Sequence, residues 1–234
     1  MTDTGLNILY RDEHFIAVDK PTGMVVHRTR IATGAPPLLQ KLRDQIGQRV
    51  YPVHRLDRPT SGVIVFGRTP EVASALGRQS QDDAMDKTYL ALVRGWADES
   101  GVIDHPVPRR KGGPKVPALS RYRTLEKVQT QPREVSLVQV TITRGRTHQV
   151  RRHMRHVNHP VIGDTNYGEN RLNRQFASEH ALARLALHAS TVTLTHPRTG
   201  EAMTFTAPLP DDLTGPLRSM GFALSCVDSL GKIG

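Results

Sequence analysis

The sequence is short of sulfur, of long apolar runs and of acid. A single cysteine, Cys226, among 234 residues excludes an internal disulfide and a cysteine metal cluster. No apolar run approaches the ~18 residues of a membrane-crossing helix. No basic amphipathic segment carries the bulky aromatic face of a helix that lies on a bilayer. The opening residues, "MTDTGLNILYRDEH", have neither the charged start nor the apolar core of a secretion signal, so a cytoplasmic location is expected. No internal repeat or long low-complexity tract is visible.

Acid is scarce only relative to base. Asp plus Glu is 22 and Lys plus Arg is 32, a net charge of +10 with histidine neutral. Such an excess implies a polyanionic partner. With no membrane signature present, nucleic acid leads. Hydrophobic residues at 37% and charged residues at 23% describe a soluble globular chain. Its length suits one large domain, long enough to bury about 70% of its unfolded surface. The expected limits of that domain are residues 6–225, with 1–5 and 226–234 as flexible termini.

The pattern of apolar residues gives the elements. Leu6–Tyr10 and Phe15–Val18 read as short strands, followed by a turn at "DKPTG". "MVVH" (Met24–His27) reads as a further strand. "GAPPLLQKLRDQIGQ" holds a short helix with Leu38, Leu39 and Leu42 inward. "GVIVF" (Gly62–Phe66) is apolar throughout, as a strand buried on both faces would be. Thr69 and Pro70 have the order of an N-cap and a first helical position, and Val72, Ala75 and Leu76 form that helix's core face. Lys87–Trp96 reads as a strand. His105–Arg121, rich in Pro, Gly, Lys and Arg, reads as a mobile basic loop.

Val135–Thr143 alternates, with Val138, Val140 and Ile142 facing one way and Gln139, Thr141 and Thr143 the other. Gly145 breaks it, and Thr147 is placed to cap a helix from about His148 to Val157. Val150, Met154 and Val157 make that helix's apolar side. Arg152 is then expected outward, with Arg151 and Arg155 on a flank. Val192 and Leu194 match Met203 and Phe205 across a turn holding Pro197 and Gly200, a hairpin. A last helix packs through Leu213, Leu217 and Met220. Many strands in hairpins with few helices give an α+β chain with a largely antiparallel sheet.

Four features could carry chemistry. Asp57 lies in a loop between Pro52 and Pro59, flanked by Arg55 and Arg58. If those cations flank it in space they favour its ionised form, as suits a nucleophile or base. A structural salt bridge or a turn cap is the other reading. "TRGRTHQVRRHMRH" (Thr143–His156) carries Arg144, Arg146, Arg151, Arg152 and Arg155 without an acid. Such a set fits phosphates, a buried carboxylate, or simply a solvated face. His148, His153, His156 and His159 invite a metal, but five arginines share the segment and the closest downstream acid is Asp164, so no metal is expected. Tyr89, in "KTYLALV", is placed either to stack on a base or to fill the core.

Five stretches in this order resemble one family: "HRLDRPTSG" (His54–Gly62), "KTYLALVRG" (Lys87–Gly95), "GRTHQVRRHM" (Gly145–Met154), "HPVIGDTNYG" (His159–Gly168) and "LALHAS" (Leu185–Ser190). They are similar to the RluA-type pseudouridine synthases, and "KPTGMVVH" (Lys20–His27) fits that family's N-terminal segment. The resemblance runs from about Leu6 to Pro208. It implies the pseudouridine synthase catalytic fold, a largely antiparallel mixed sheet flanked by helices, with no separate S4 domain. It implies an isomerase that turns a uridine in RNA into pseudouridine, with no cofactor and no metal. The base leaves C1′ through N1, rotates and rejoins through C5.

Residue by residue, the resemblance makes Asp57 the essential aspartate, Tyr89 the tyrosine packed on the base and Arg151 the arginine partner of the aspartate. Arg55 becomes the residue that enters the RNA stack in place of the flipped base. His54, Arg58, Arg146, His148, Arg152 and Arg155 are the further RNA-binding residues expected. "RDQIGQRVYPVHRLDRPTSGV" (Arg43–Val63), "QVRRHMRHVNHPVIGD" (Gln149–Asp164), "NRLNR" (Asn170–Arg174) and "LTHPRTGE" (Leu194–Glu201) resemble the tRNA pseudouridine synthase C branch. That branch implies tRNA as partner and uridine 65 as target. A monomer is expected, and the composition gives no sign of membrane association. "HPVPRRKGGPK" departs from that branch in length and composition. Ribosomal (23S) RNA is the alternative substrate, and a non-catalytic RNA-binding protein or a metal-dependent nuclease are the alternatives of another class.

Overall fold

The computed structural model describes residues 5–27, 36–109 and 112–228. In chain order the elements are β1 (Asn7–Arg11), β2 (Phe15–Lys20), α1 (Leu38–Ile46), β3 (Tyr51–Pro52), β4 (Ser61–Gly67), α2 (Pro70–Gln81), β5 (Asp86–Arg94), β6 (Ser100–Asp104), β7 (Val107–Pro108), β8 (Lys115–Val116), β9 (Leu119–Val128), β10 (Val135–Ile142), α3 (Gln149–His156), α4 (Asn170–His180), β11 (Leu187–Thr195), β12 (Ala202–Thr206), α5 (Asp211–Ser219) and α6 (Ser225–Asp228). The expected α+β class, with a mostly antiparallel sheet flanked by helices, is what the chain adopts. Of the termini expected to be flexible, the described parts are Gly5 and the end of α6; the rest lie outside the described residues. No helix among the described residues is long and apolar enough to cross a membrane.

The packing divides the chain into two compact units, residues 1–87 with 189–207, and residues 88–188 with 208–234. In the first unit, strands run in the order β1, β2, β4, β11; β3 pairs with β4, and β12 with β11. Every residue of β4 is buried, as its unbroken apolar run predicts. Its neighbour β2 pairs with it antiparallel, Phe15 opposite Gly67 through Lys20 opposite Gly62. Thr69 caps α2 by accepting the Val72 N–H at 3.3 Å, and Pro70 follows where a missing N–H costs nothing. Val192 faces Phe205 and Leu194 faces Met203, the expected hairpin register. Phe15, Val63, Val65, Leu76, Leu194 and Phe205 belong to this unit's core.

Met24–His27 forms no strand. Its carbonyls serve a helix instead: Val25 and Val26 accept the N–H groups of Leu38 and Leu39 at 2.9 and 3.0 Å. These are two of the donors a helix start leaves unpaired, and α1 lacks a capping side chain. Leu38 and Leu42 are buried on its inner face, as expected, and Gly47 closes it in the left-handed region.

In the second unit, strands run in the order β5, β10, β9, β6. β10 shows the expected alternation along Val138–Ile142. Leu213, Leu217 and Met220 pack α5 with Phe176, Leu137 and Leu92. The segment read as a mobile basic loop holds short strands. β7 and β8 pair as a small antiparallel hairpin, and β9 starts at Leu119; Arg110 and Lys111 lie outside the described residues. Thr147 does not cap α3. Its hydroxyl donates to the Arg109 carbonyl at 3.0 Å, and His148, in the left-handed region at φ 54°, holds the N-cap position. α3 also buries more than its apolar side: Arg151 and His153 are inside along with Val150 and Met154. The three-residue spacing could not reveal this, because it needs polar partners on other segments.

Candidate active site

The Asp57 loop is built from its flanks inward. β3 is tied to β4 at Tyr51 and Pro52, and Val53 N–H donates to the Val65 carbonyl at 3.0 Å. The next residue turns its ring toward the same strand, where His54 Nε2 accepts the Val65 N–H at 3.3 Å. A ring that accepts at Nε2 is the neutral tautomer with its proton on Nδ1. Burial, with a lesser push from the charge of Lys87, drives the His54 pKa down to about 3. In this placement the ring is a neutral internal brace for the loop.

Beyond it the chain reverses, Thr60 N–H donating to the Asp57 carbonyl at 3.1 Å. Leu56 is buried, Asp57 half-buried, and Arg55 and Arg58 exposed. A second segment clamps this reversal. Lys20, fully buried, donates from Nζ to the carbonyls of Pro21 (2.9 Å), Met24 (2.8 Å) and Arg58 (3.2 Å). Thr22 donates its hydroxyl to the Pro59 carbonyl at 2.9 Å. Arg58 returns the tie from Nε to the Gly23 carbonyl at 2.9 Å. The "KPTG" turn and the Asp57 loop are thus one piece. Arg55 remains exposed on it, two residues before the carboxylate.

The second unit holds the other expected residues. Tyr89 lies on β5 and is 8% exposed. Arg151 is 4% exposed and makes a two-pronged ion pair with Asp164, Nε to Oδ2 at 2.7 Å and Nη2 to Oδ1 at 2.8 Å. Burial alone would raise the Asp164 pKa. The Arg151 guanidinium outweighs it, with the N–H groups of Asn166 and Tyr167, and the net effect holds the carboxyl below its usual range. The buried pair is worth little net, but breaking it would leave a buried charge.

Around this pair gather His148, whose Nδ1 meets the Tyr167 hydroxyl at 3.0 Å, and Arg152, whose Cζ lies 5.0 Å from the Tyr167 ring centre. Arg152 is half-buried, Arg146 half-buried and Arg155 exposed. The remaining histidines are engaged by the protein. His153 Nε2 meets the His105 carbonyl at 2.9 Å, which makes that nitrogen the donor, while Nδ1 meets Ser120 Oγ at 2.8 Å. His156 stacks on His105 at 3.8 Å, and His159 Nδ1 donates to the Arg94 carbonyl at 2.8 Å. Among the described residues no three His, Cys, Asp or Glu side chains converge as metal ligands.

Three residues with structural claims on the site went unassigned from sequence: Lys20, Asp164 and Tyr167. Asp164 left a signal. It is the first acid after an arginine-rich helix and it opens "DTNYG", where an aspartate readily accepts the N–H groups two and three residues on. Lys20 left none beyond its place in "KPTG", since its partners are backbone carbonyls.

Residues 14–156 match the family described as RNA pseudouridylate synthase. A Vibrio parahaemolyticus protein named tRNA pseudouridine synthase C is 41% identical over 229 residues, 90% of this chain and 93% of that protein. A Yersinia pestis protein of the same name is 39% identical over 236 residues, 93% and 92% of the two. Among solved structures, human RNA pseudouridylate synthase domain containing 1 superposes with a TM-score of 0.71 at 28% identity, across 88% of this chain and 84% of the other.

Proposed function

Because this chain belongs to the RNA pseudouridylate synthase family, it is an isomerase that acts on RNA, and we propose that its substrate is tRNA, with uridine 65 as the target. The observation that carries the substrate is the near-full-length likeness, about two residues in five, to relatives named tRNA pseudouridine synthase C. The enzyme works in this reading as a cytoplasmic monomer.

A uridine inside a helical stem must leave the stack to be reached, at a cost of a few kcal/mol. Arg55, exposed on the clamped loop, fills the gap by stacking and charge. Asp57 is the essential carboxylate, Tyr89 packs on the base, and Arg151, held by Asp164, is the aspartate's partner. Arg58, Arg146, His148, Arg152 and Arg155 serve the RNA; His54 braces the loop instead. The reaction breaks the N1–C1′ bond and forms a C5–C1′ bond within one nucleotide; C5 gives up its proton and N1 gains one, so atoms and electrons balance without an added reagent.

The test is incubation with a tRNA transcript and with 23S ribosomal RNA, followed by chemical mapping of pseudouridine. The expected product is a mark at uridine 65 of tRNA from the wild type and none from Asp57→Ala, with RNA binding retained. A mark on ribosomal RNA alone moves the substrate to the alternative. Binding without a mark from either RNA favours a non-catalytic binder.

A further inference from the structure

Arg151 and Arg152 are neighbours on α3, and adjacent helix positions point about 100° apart. Yet both guanidiniums lie over one ring: the Cζ atoms of Arg151 and Arg152 are 5.2 and 5.0 Å from the centre of Tyr167. Both distances are within the range where an aromatic face attracts a cation. The ring itself is fixed at two points. Its backbone N–H donates to Asp164 Oδ1 at 3.0 Å, and its hydroxyl meets His148 Nδ1 at 3.0 Å.

One short turn therefore supplies both the carboxylate and the ring. Asn173 stiffens it, accepting the Gly163 N–H at 2.9 Å and donating to the Asp164 carbonyl at 3.0 Å. Gly163, at φ 79°, lies where any Cβ would collide with the Arg184 carbonyl oxygen.

The two arginines fare differently. Asp164 takes the Nε and Nη2 edge of Arg151. Arg152 Nε is buried and has no hydrogen-bond partner among the described residues. A buried donor normally finds a partner. The Tyr167 ring is the neighbour that the two guanidiniums share.

We propose that Tyr167 is a positioning residue that sorts the two arginines: it leaves Arg151 to Asp164, aimed for the isomerisation, and holds Arg152 apart as a cation for an RNA phosphate. The proposal rests on the roles assigned above to Arg151 and Arg152. No part of the family likeness assigns Tyr167 a task.

The full-length chain and a tRNA transcript test it through single-turnover pseudouridine formation and RNA affinity against salt. Tyr167→Leu is expected to slow the chemical step at least tenfold, and Tyr167→Phe, which keeps the ring, to stay within about threefold of wild type. In an Arg151→Lys background the added effect of Tyr167→Leu should fall below twofold, since contacts that act as one unit are not additive. A tenfold loss repeated in full in that background, Tyr167→Phe as slow as Tyr167→Leu, or Tyr167→Leu as fast as wild type each overturns the proposal. If Tyr167→Leu does not fold, Tyr167→Met, which fills similar space without an aromatic face, decides in the same two backgrounds by the same criterion.

A second readout needs no activity. Tyr167→Leu should lower the slope of log affinity against log salt by about one, as loss of a single phosphate contact does. Arg152→Ala should lower it equally, and the double variant no further; an unchanged slope in Tyr167→Leu, or slopes that add, overturns it. A wild type that marks no RNA sinks the isomerase reading instead, and leaves this salt measurement to judge Tyr167.

Discussion

The turn that closes at Gly62 and the turn that opens at Gly163 both hold a buried cation, but they hold it with different partners. In the first unit Lys20 gives its ammonium protons to the carbonyls of Pro21, Met24 and Arg58. In the second Arg151 gives its guanidinium to the Asp164 carboxylate. Both turns depend on a glycine with positive φ pressed against a carbonyl, Gly62 on Ala189 and Gly163 on Arg184. The carbonyl clamp joins two loops to each other. The carboxylate gives one side chain a direction. The first kind of tie fixes backbone to backbone; the second fixes the direction of a single side chain.

The contrast is most easily broken at Asp164. Asp164→Ala leaves Arg151 buried with its chief charge partner gone, which should cost about 3–5 kcal/mol and lower the calorimetric melting temperature by roughly 10 °C. Lys20→Met leaves three carbonyls without their donor and should cost about 3 kcal/mol, read by urea unfolding. It should also raise hydrogen exchange in both the "KPTG" turn and residues 54–60. Exchange raised in one of them alone would mean that the clamp does not join them.

Acid separates the two turns by window. The depressed His54 pKa means that the folded state refuses a proton the unfolded chain accepts. Stability is therefore complete above pH 6.5 and falls by about 1.4 kcal/mol per pH unit below it, until the folded value near 3 is reached. The Asp164 pair works in the other window. Its carboxyl is held below 3.8, so its contribution persists down to about pH 4 and is lost beneath. Between pH 6.5 and 4.5 the Asp57 loop should loosen first. His54→Gln should flatten the melting-temperature slope there by one proton's worth, the lowered histidines at 105 and 153 supplying the rest. The smallest effect is expected from Thr22→Val, which removes one hydroxyl-to-carbonyl bond and should cost about 1 kcal/mol in the same urea measurement.

Much of the fold was legible in local pattern. An unbroken apolar run gave β4, Thr69–Pro70 gave the start of α2, and strict alternation gave β10. The hairpin of β11 and β12 followed from matched apolar pairs about a turn. The failures share a cause. Val25 and Val26 looked like strand because their carbonyls' partners lie on α1. The buried partners of Arg151 and His153 could not be named because Asp164, Ser120 and the His105 carbonyl lie 13 to 48 residues away in sequence. The bracing role of His54 stayed hidden because its acceptor role toward Val65 cannot be seen in "HRLD". The candidate site was legible as motifs, and what holds those motifs was not.

The clamp on Lys20 has a bearing on transplantation. A chimera that received only "YPVHRLDRPTSGVIVF" from this chain would take the Asp57 loop without the ammonium that fastens it, and its carbonyl at position 58 would point at whatever the host supplied. The movable cassette is discontinuous: the loop and residues 20–24 must travel together or not at all.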